Sequence, residues 1–368
     1  MVVAHRGDSH AKRNEMKKLV LLFVAALALA ACGNHKKTSY DEMGSNGLTT
    51  RTENLKTNLR TYVNRGIMMG QQYGTLQGVG WQSDSDRSDL QGICADRPAV
   101  NGYELCGIER GQKTNADGLP FADIRRDVVQ HFRRGGLVTM TWTAPDPHGS
   151  DDQLKAWTAK VAQFLASLQD AYGIKAPVVL FICPLDGHSW YTRLSKSDYA
   201  RLYQQTAGWL KDDEAVNVLL GYSATPADLQ QHSVQMPDAD IDVVNLTLMA
   251  EQSADTAAYA RQLNTLLPLL AQTAQQANAV PALTTGIEGL PLCDYFSRLL
   301  MPAVSRQRLA YVLLGRNHGE PKQQHFCVPY PGCPNEKIQD FMNLYNHDGF
   351  IFLNHLNGLY LNHNEKRD

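Results

Sequence analysis

No stretch of this chain carries a basic field. Its formal net charge is −2 with 20% charged residues, and its doubled arginines, Arg125-Arg126 and Arg133-Arg134, fall on the solvated face of an expected helix. Nucleic acid is therefore not an expected partner. The 7 cysteines match no zinc spacing, so no metal site is expected. Gly66, Gly70, Gly74, Gly78 and Gly80 do not follow a strand and open a helix as a phosphate-cradling loop must, and no nucleotide or other cofactor is expected. Nor is there a run long enough to span a bilayer comfortably, since the apolar stretch Leu19 to Ala31 is too short.

That stretch has a different use. Met16-Lys17-Lys18 supplies a basic start, the apolar run follows, and Leu29-Ala30-Ala31-Cys32 places small residues at a cut. With Cys32 directly after the cut, the segment resembles a bacterial lipoprotein signal, which implies Cys32 as the acylated N-terminus and a membrane held through lipid. An ordinary secretory cleavage beside a bystander cysteine is the alternative. Residues 1–15 read as an upstream extension, 16–32 as the signal, 33–52 as a polar flexible tether and 53–368 as the folded domain. The expected location is the cell envelope, periplasmic face or cell surface. Six cysteines remain, and in an exported chain they could pair; Cys94 with Cys106 and Cys327 with Cys333 are the locally easy pairings, which spacing alone does not establish.

After the tether, short apolar runs alternate with amphipathic stretches. The runs are Ile67 to Met69, Ala99 to Cys106, Leu137 to Trp142, Val178 to Cys183, Val216 to Tyr222, Ile241 to Leu248, Pro281 to Thr285 and Leu309 to Leu314. Helical periodicity predicts helices over Thr52 to Asn64, Phe121 to Phe132, Asp151 to Ala171, Lys196 to Lys211, Ala254 to Gln276 and Leu292 to Val304, with Ser195 and Ser253 as candidate N-caps. Eight strand–helix repeats over roughly 310 residues give the count and size of an α/β (β/α)8 TIM barrel, one domain rather than two. A doubly wound open sheet is the alternative.

In a barrel the chemistry belongs to the loops after the strands. The stretch Val178 to Thr192 is the richest: a buried strand empties into Asp186, His188, Trp190 and Tyr191. Trp81, Trp142 and Tyr73 lie on or near other such loops. Flat aromatic faces can stack on sugar rings while Asp, Asn, Arg and His bond the hydroxyls. The competing reading is that Trp190 and Tyr191 only plug the loop against the fold.

Several segments together resemble glycoside hydrolase family 26, best known as secreted endo-β-1,4-mannanases. They are Gly70-Gln71-Gln72 with Gly78-Val79-Gly80-Trp81; Arg97 to Glu104 with Gly107-Ile108-Glu109; Asp117 to Phe121; Arg134-Gly135-Gly136; Pro281 to Thr284 with Gly286-Ile287-Glu288-Gly289; Leu300 to Ala303; Tyr311-Val312-Leu313 with Arg316-Asn317; and Val328 to Gly332. The resemblance runs over residues 54–353 in order. It implies a (β/α)8 barrel, an ancestry in β-mannan processing, and Arg316 as a sugar contact.

The departures lie where the family does its chemistry. The fourth strand of family members ends in Arg-Pro-x-His-Glu, whose Glu is the general acid/base; here Cys183-Pro184-Leu185-Asp186-Gly187-His188 stands instead. The nucleophile's Thr-Glu-Thr-Gly is reduced to Thr284-Thr285-Gly286, the third-strand His is Thr143, and a Trp before Arg316 is Gly315. A retaining glycosidase needs two carboxyl groups about 5 to 5.5 Å apart, and a threonine supplies neither acid nor carboxylate nucleophile. The expected function is binding of a polysaccharide or oligosaccharide of β-mannan type through Trp81, Trp142, His188, Trp190, Tyr191 and Arg316, with hydrolysis impaired or lost. The alternative is an active mannan endo-1,4-β-mannosidase with rearranged carboxylates, Asp186 as acid/base and Glu288 or Asp146 as partner. A structural envelope protein whose cleft binds nothing is a third reading.

Overall fold

A computed structural model describes residues 42–362 apart from 85, 186 and 214. Cys32, with the signal and most of the tether, and Asp186 lie outside the described residues. The chain divides into 1–40 and 41–368, and the second part holds the barrel.

Eight parallel strands, β1 (Ile67–Gln72), β2 (Val100–Glu104), β3 (Leu137–Trp142), β4 (Val178–Ile182), β5 (Val218–Ala224), β6 (Ile241–Ala250), β7 (Val280–Ile287) and β8 (Tyr311–Leu314), pair in sequence order. β8 then pairs with β1, Met68 opposite Tyr311 and Gln71 opposite Leu314, so the sheet closes into a (β/α)8 barrel. Closure leaves no unpaired edge among the eight. A two-residue strand, β9 (Phe350–Ile351), adds to the start of β1 and was not legible in the sequence.

The strands read as near-continuous apolar runs because both faces are covered, the inner by the barrel core and the outer by helices. β4 is buried at every position. The outer layer is α1 (Thr50–Tyr62), α2 (Phe121–Arg133), α3 (Asp151–Ala166), α4 (Lys196–Asp212), α5 (Thr256–Gln276) and α6 (Asn335–Tyr345). Ser195 caps α4, accepting from the Asp198 amide. Asp255, not the expected Ser253, caps α5 through the amides of Ala257 and Ala258. α3 ends at Ala166 rather than Ala171, because the Asp170 side chain accepts from the amides of Tyr172 and Ile174 and fixes a turn through Gly173 at φ 79°. The expected helix over Leu292 to Val304 is instead a π-helical stretch, Tyr295–Leu300, running into Met301–Val304. Pro302 has no amide to donate back, and Asp340 of α6 takes the amides of Phe296 and Ser297.

The ordered fold begins before residue 53. α1 starts at Thr50, and the Thr49 amide bonds Val216 O at 2.9 Å, so the end of the expected tether is docked on the base of the barrel. All six cysteines among the described residues are free, including Cys94, Cys106, Cys327 and Cys333. No helix among the described residues is long and apolar enough to cross a membrane.

Candidate functional site

The C-terminal ends of β1, β2, β7 and β8 gather a continuous set of polar side chains. Tyr73 follows β1 with a left-handed backbone, φ 55°, and its hydroxyl donates to Asp117 Oδ2 at 2.6 Å while accepting from the Glu104 amide and Asn115 Nδ2. Asp117 Oδ1 in turn meets Arg316 Nη1 at 2.6 Å, just past β8. Asn115 holds this loop by accepting from the amides of Asp117 and Leu119. Asp117 and Arg316 remain partly exposed, 21% and 29%, so the pair faces the mouth with donors and acceptors still open to solvent.

Glu104 closes β2. Its Oε1 accepts from the amides of Cys106 at 2.8 Å and Thr143 at 3.2 Å, and Oε2 faces the Thr143 hydroxyl at 3.4 Å. Burial raises its carboxyl to about 7, with the Asp117 charge adding to the rise against these hydrogen bonds. Burial also pushes the Tyr73 phenol well above its ordinary value, so it stays protonated and donates.

The strand β7 itself carries no carboxylate. Thr284 faces inward and donates to Asn245 Oδ1 of β6 at 3.2 Å. Thr285 is fully buried and turned toward α5, its hydroxyl 2.6 Å from Tyr259 OH and donating to Leu248 O at 2.8 Å. The neighbouring space is filled. A Cβ on Gly315 would lie 2.6 Å from both Cys327 Sγ and Met249 Cε. Cys327 is held there by Asn317, whose Oδ1 accepts from the amides of Cys327 and Val328 and whose Nδ2 donates to Val328 O and Asp89 Oδ2.

Glu288 lies beyond β7 on the rim, its Oε1 2.8 Å from His325 Nδ1 and 4.0 Å from His318 Nε2. Burial and then the Arg316 cation hold the His318 imidazole below its ordinary value. Cysteine spacing argued against a metal site, yet the fold collects two imidazoles and a carboxylate here from residues distant in sequence.

The aromatic residues expected on the rim are placed differently. Trp142 is fully buried, its Nε1 donating to the buried Glu109, so neither face meets solvent. Tyr191 is also fully buried and packs edge-on against Trp190. Trp81 is 8% exposed, donates to Asp89 Oδ1 at 2.7 Å and carries the Arg87 guanidinium over its ring at 5.2 Å. These three fill structure as they stand. Trp190 is half-buried, donating to Ala144 O, and His188 is exposed. Asp146 is exposed and turned to its own loop, accepting from the His148 amide. Of the expected set, the structure brings Arg316 and Glu288 into one polar neighbourhood through His318. Glu104 and Asp117 were missed as site residues; their signal lay in the segments carrying the family resemblance, where they counted toward the fold. Tyr73 was expected as an aromatic face near the loops, and it acts instead through its hydroxyl.

No family model matches the sequence, and no curated protein matches it. Solved structures do. A family 26 β-mannanase from Bacteroides ovatus superposes with TM-score 0.77 at 27% identity, covering 86% of this chain and 98% of that one. The catalytic domain of a family 26 endo-β-1,4-mannanase from a Bacillus species gives 0.73 at 22% identity, over 88% and 98%. A family 26 protein from a Muricauda species gives 0.72 at 19%, over 85% and 94%.

Proposed function

The chain has the fold of the family 26 β-mannanases, and from that premise we propose that it binds a polysaccharide or oligosaccharide of β-mannan type at the mouth of the barrel, with hydrolysis impaired or lost. The observation that carries this reading is Thr285. At the strand end where retaining family members place their nucleophile stands a hydroxyl already satisfied by Tyr259 and Leu248 and turned away from the axis. A covalent glycosyl intermediate requires a carboxylate there. Recognition needs only donors and acceptors at the mouth, and Arg316 and Asp117 supply them, Asp117 being held by the buried Tyr73 hydroxyl. We place the protein at the cell envelope, anchored through Cys32.

The test is prolonged incubation of the full chain in detergent with β-mannan and manno-oligosaccharides, reading reducing ends, alongside glycan affinity by calorimetry. Binding without release, weakened tenfold or more in Arg316→Ala, is the expected result. Release that disappears in Asp186→Asn would instead establish a hydrolase with rearranged carboxylates, Asp186 acting with Glu288. That second reading is favoured by Glu288 standing 40% exposed near the strand end where the nucleophile is missing. Anchoring is read from fractionation: Cys32→Ser should move the protein from the membrane to the soluble fraction.

A further inference from the structure

We propose that Glu288, His318 and His325 form a binding site for a divalent transition-metal ion of the zinc type, at the rim between the loops that follow β7 and β8. One ligand atom from each, two imidazole nitrogens and a carboxylate oxygen, lies within 4.8 Å of the others. Zinc bonds of about 2.0–2.2 Å in a tetrahedron separate ligand atoms by roughly 3.3 Å. The separations of His325 Nδ1 and His318 Nε2 from Glu288 Oε1, 2.8 and 4.0 Å, bracket that value, so the three side chains are already within reach of one ion. The two rings lie stacked, 5° between planes and 4.6 Å between centroids; imidazole lone pairs lie in the ring plane, so one ring turns out of the stack for both nitrogens to face a shared ion.

The backbone fixes this arrangement without an ion. The His318 amide bonds His325 O at 2.9 Å, and the Gly289 amide bonds Phe326 O at 2.7 Å, which ties the residue after Glu288 to the residue after His325. Two imidazoles with one carboxylate suit zinc, copper or nickel better than magnesium or calcium, which prefer all-oxygen sets. Glu288 and His325 are 40% exposed and His318 26%, so an ion enters from solvent and keeps water in its remaining position. Such an ion would clip the β7 loop to the β8 loop beside Arg316. The site does not depend on whether the mouth takes a glycan.

The competing account is a plain hydrogen bond between His325 and Glu288 with a stacked neighbour, and titration separates the two. The full chain in detergent, dialysed against chelator, is titrated with ZnCl2 by calorimetry and with CoCl2 by visible absorbance. The expected result is stoichiometric zinc binding at micromolar or tighter affinity, with cobalt bands of nitrogen and oxygen ligation and no thiolate charge-transfer band. His318→Ala and His325→Ala should each weaken binding tenfold or more, and Glu288→Gln should weaken it as well. Cys293→Ser, removing an exposed thiol, should leave it unchanged. If an alanine variant fails to fold, His325→Gln keeps the volume and gives the same reading. Absence of stoichiometric binding, binding that survives both histidine changes, or loss of binding in Cys293→Ser would overturn the proposal.

Discussion

Glu104 is held at about 7, against 4.5 for an ordinary glutamate, because its burial at the end of β2 penalises the charge. The consequence for stability has a definite sign. Between those two values the native state keeps a proton that the unfolded chain releases, so stability falls as pH rises, and the whole cost is present above about 7. Glu104→Gln removes the titration and keeps the fit, since an amide oxygen can accept from Cys106 and Thr143 as the carboxylate does. Urea unfolding should show the variant equal to the wild type near pH 4 and increasingly more stable through pH 7, reaching up to about 3 kcal/mol at pH 8. A difference constant across pH would mean that the carboxyl is not held in this way. The position was readable as a residue of the family pattern; its burial was not.

One side chain organises the segment that closes the β8 side of the mouth. Asn317 is fully buried and makes four hydrogen bonds, three to the backbone of Cys327 and Val328 and one to Asp89, which also receives the Trp81 indole and the Val79 amide. Asn317→Ala leaves buried groups without partners at about 1–3 kcal/mol each. A loss of roughly 3 kcal/mol or more in unfolding free energy is expected, with cleavage by added protease concentrating between residues 317 and 328. Uniform protection of that segment in the variant would show that the clamp is dispensable. Asn317 was visible in the sequence beside Arg316, but its partners follow it by a loop or precede it by most of the barrel, and no local rule pairs them.

Among the described residues the fold rests on barrel closure and not on cross-links. Cys183 and Cys327 are buried thiols pushed up to about 12 by desolvation, and the other four described cysteines are free too. Expected export and local cysteine pairs invited a disulfide reading, and the fold supplies none among the described residues. Dithiothreitol should therefore leave the melting temperature unchanged within about 1 °C, and denatured protein should titrate with six thiols from the described residues. A fall in melting temperature on reduction would show a bridge.

Composition and periodicity determined the barrel. β3 runs from Leu137 to Trp142, the span its apolar run predicts, and most other strands differ from their runs by a few residues, because strands covered on both faces must be apolar throughout. What the sequence could not decide is which way each side chain at a strand end points. Direction alternates with every residue, so a shift of one position exchanges axis for helix layer. Thr284 thus meets Asn245 inside the barrel while Thr285 meets Tyr259 outside it, and Trp142 is turned onto Glu109 instead of toward solvent. Pairing of β8 with β7 brings His318 and His325 onto Glu288, and only closure of the sheet, β8 onto β1, brings Arg316 onto Asp117.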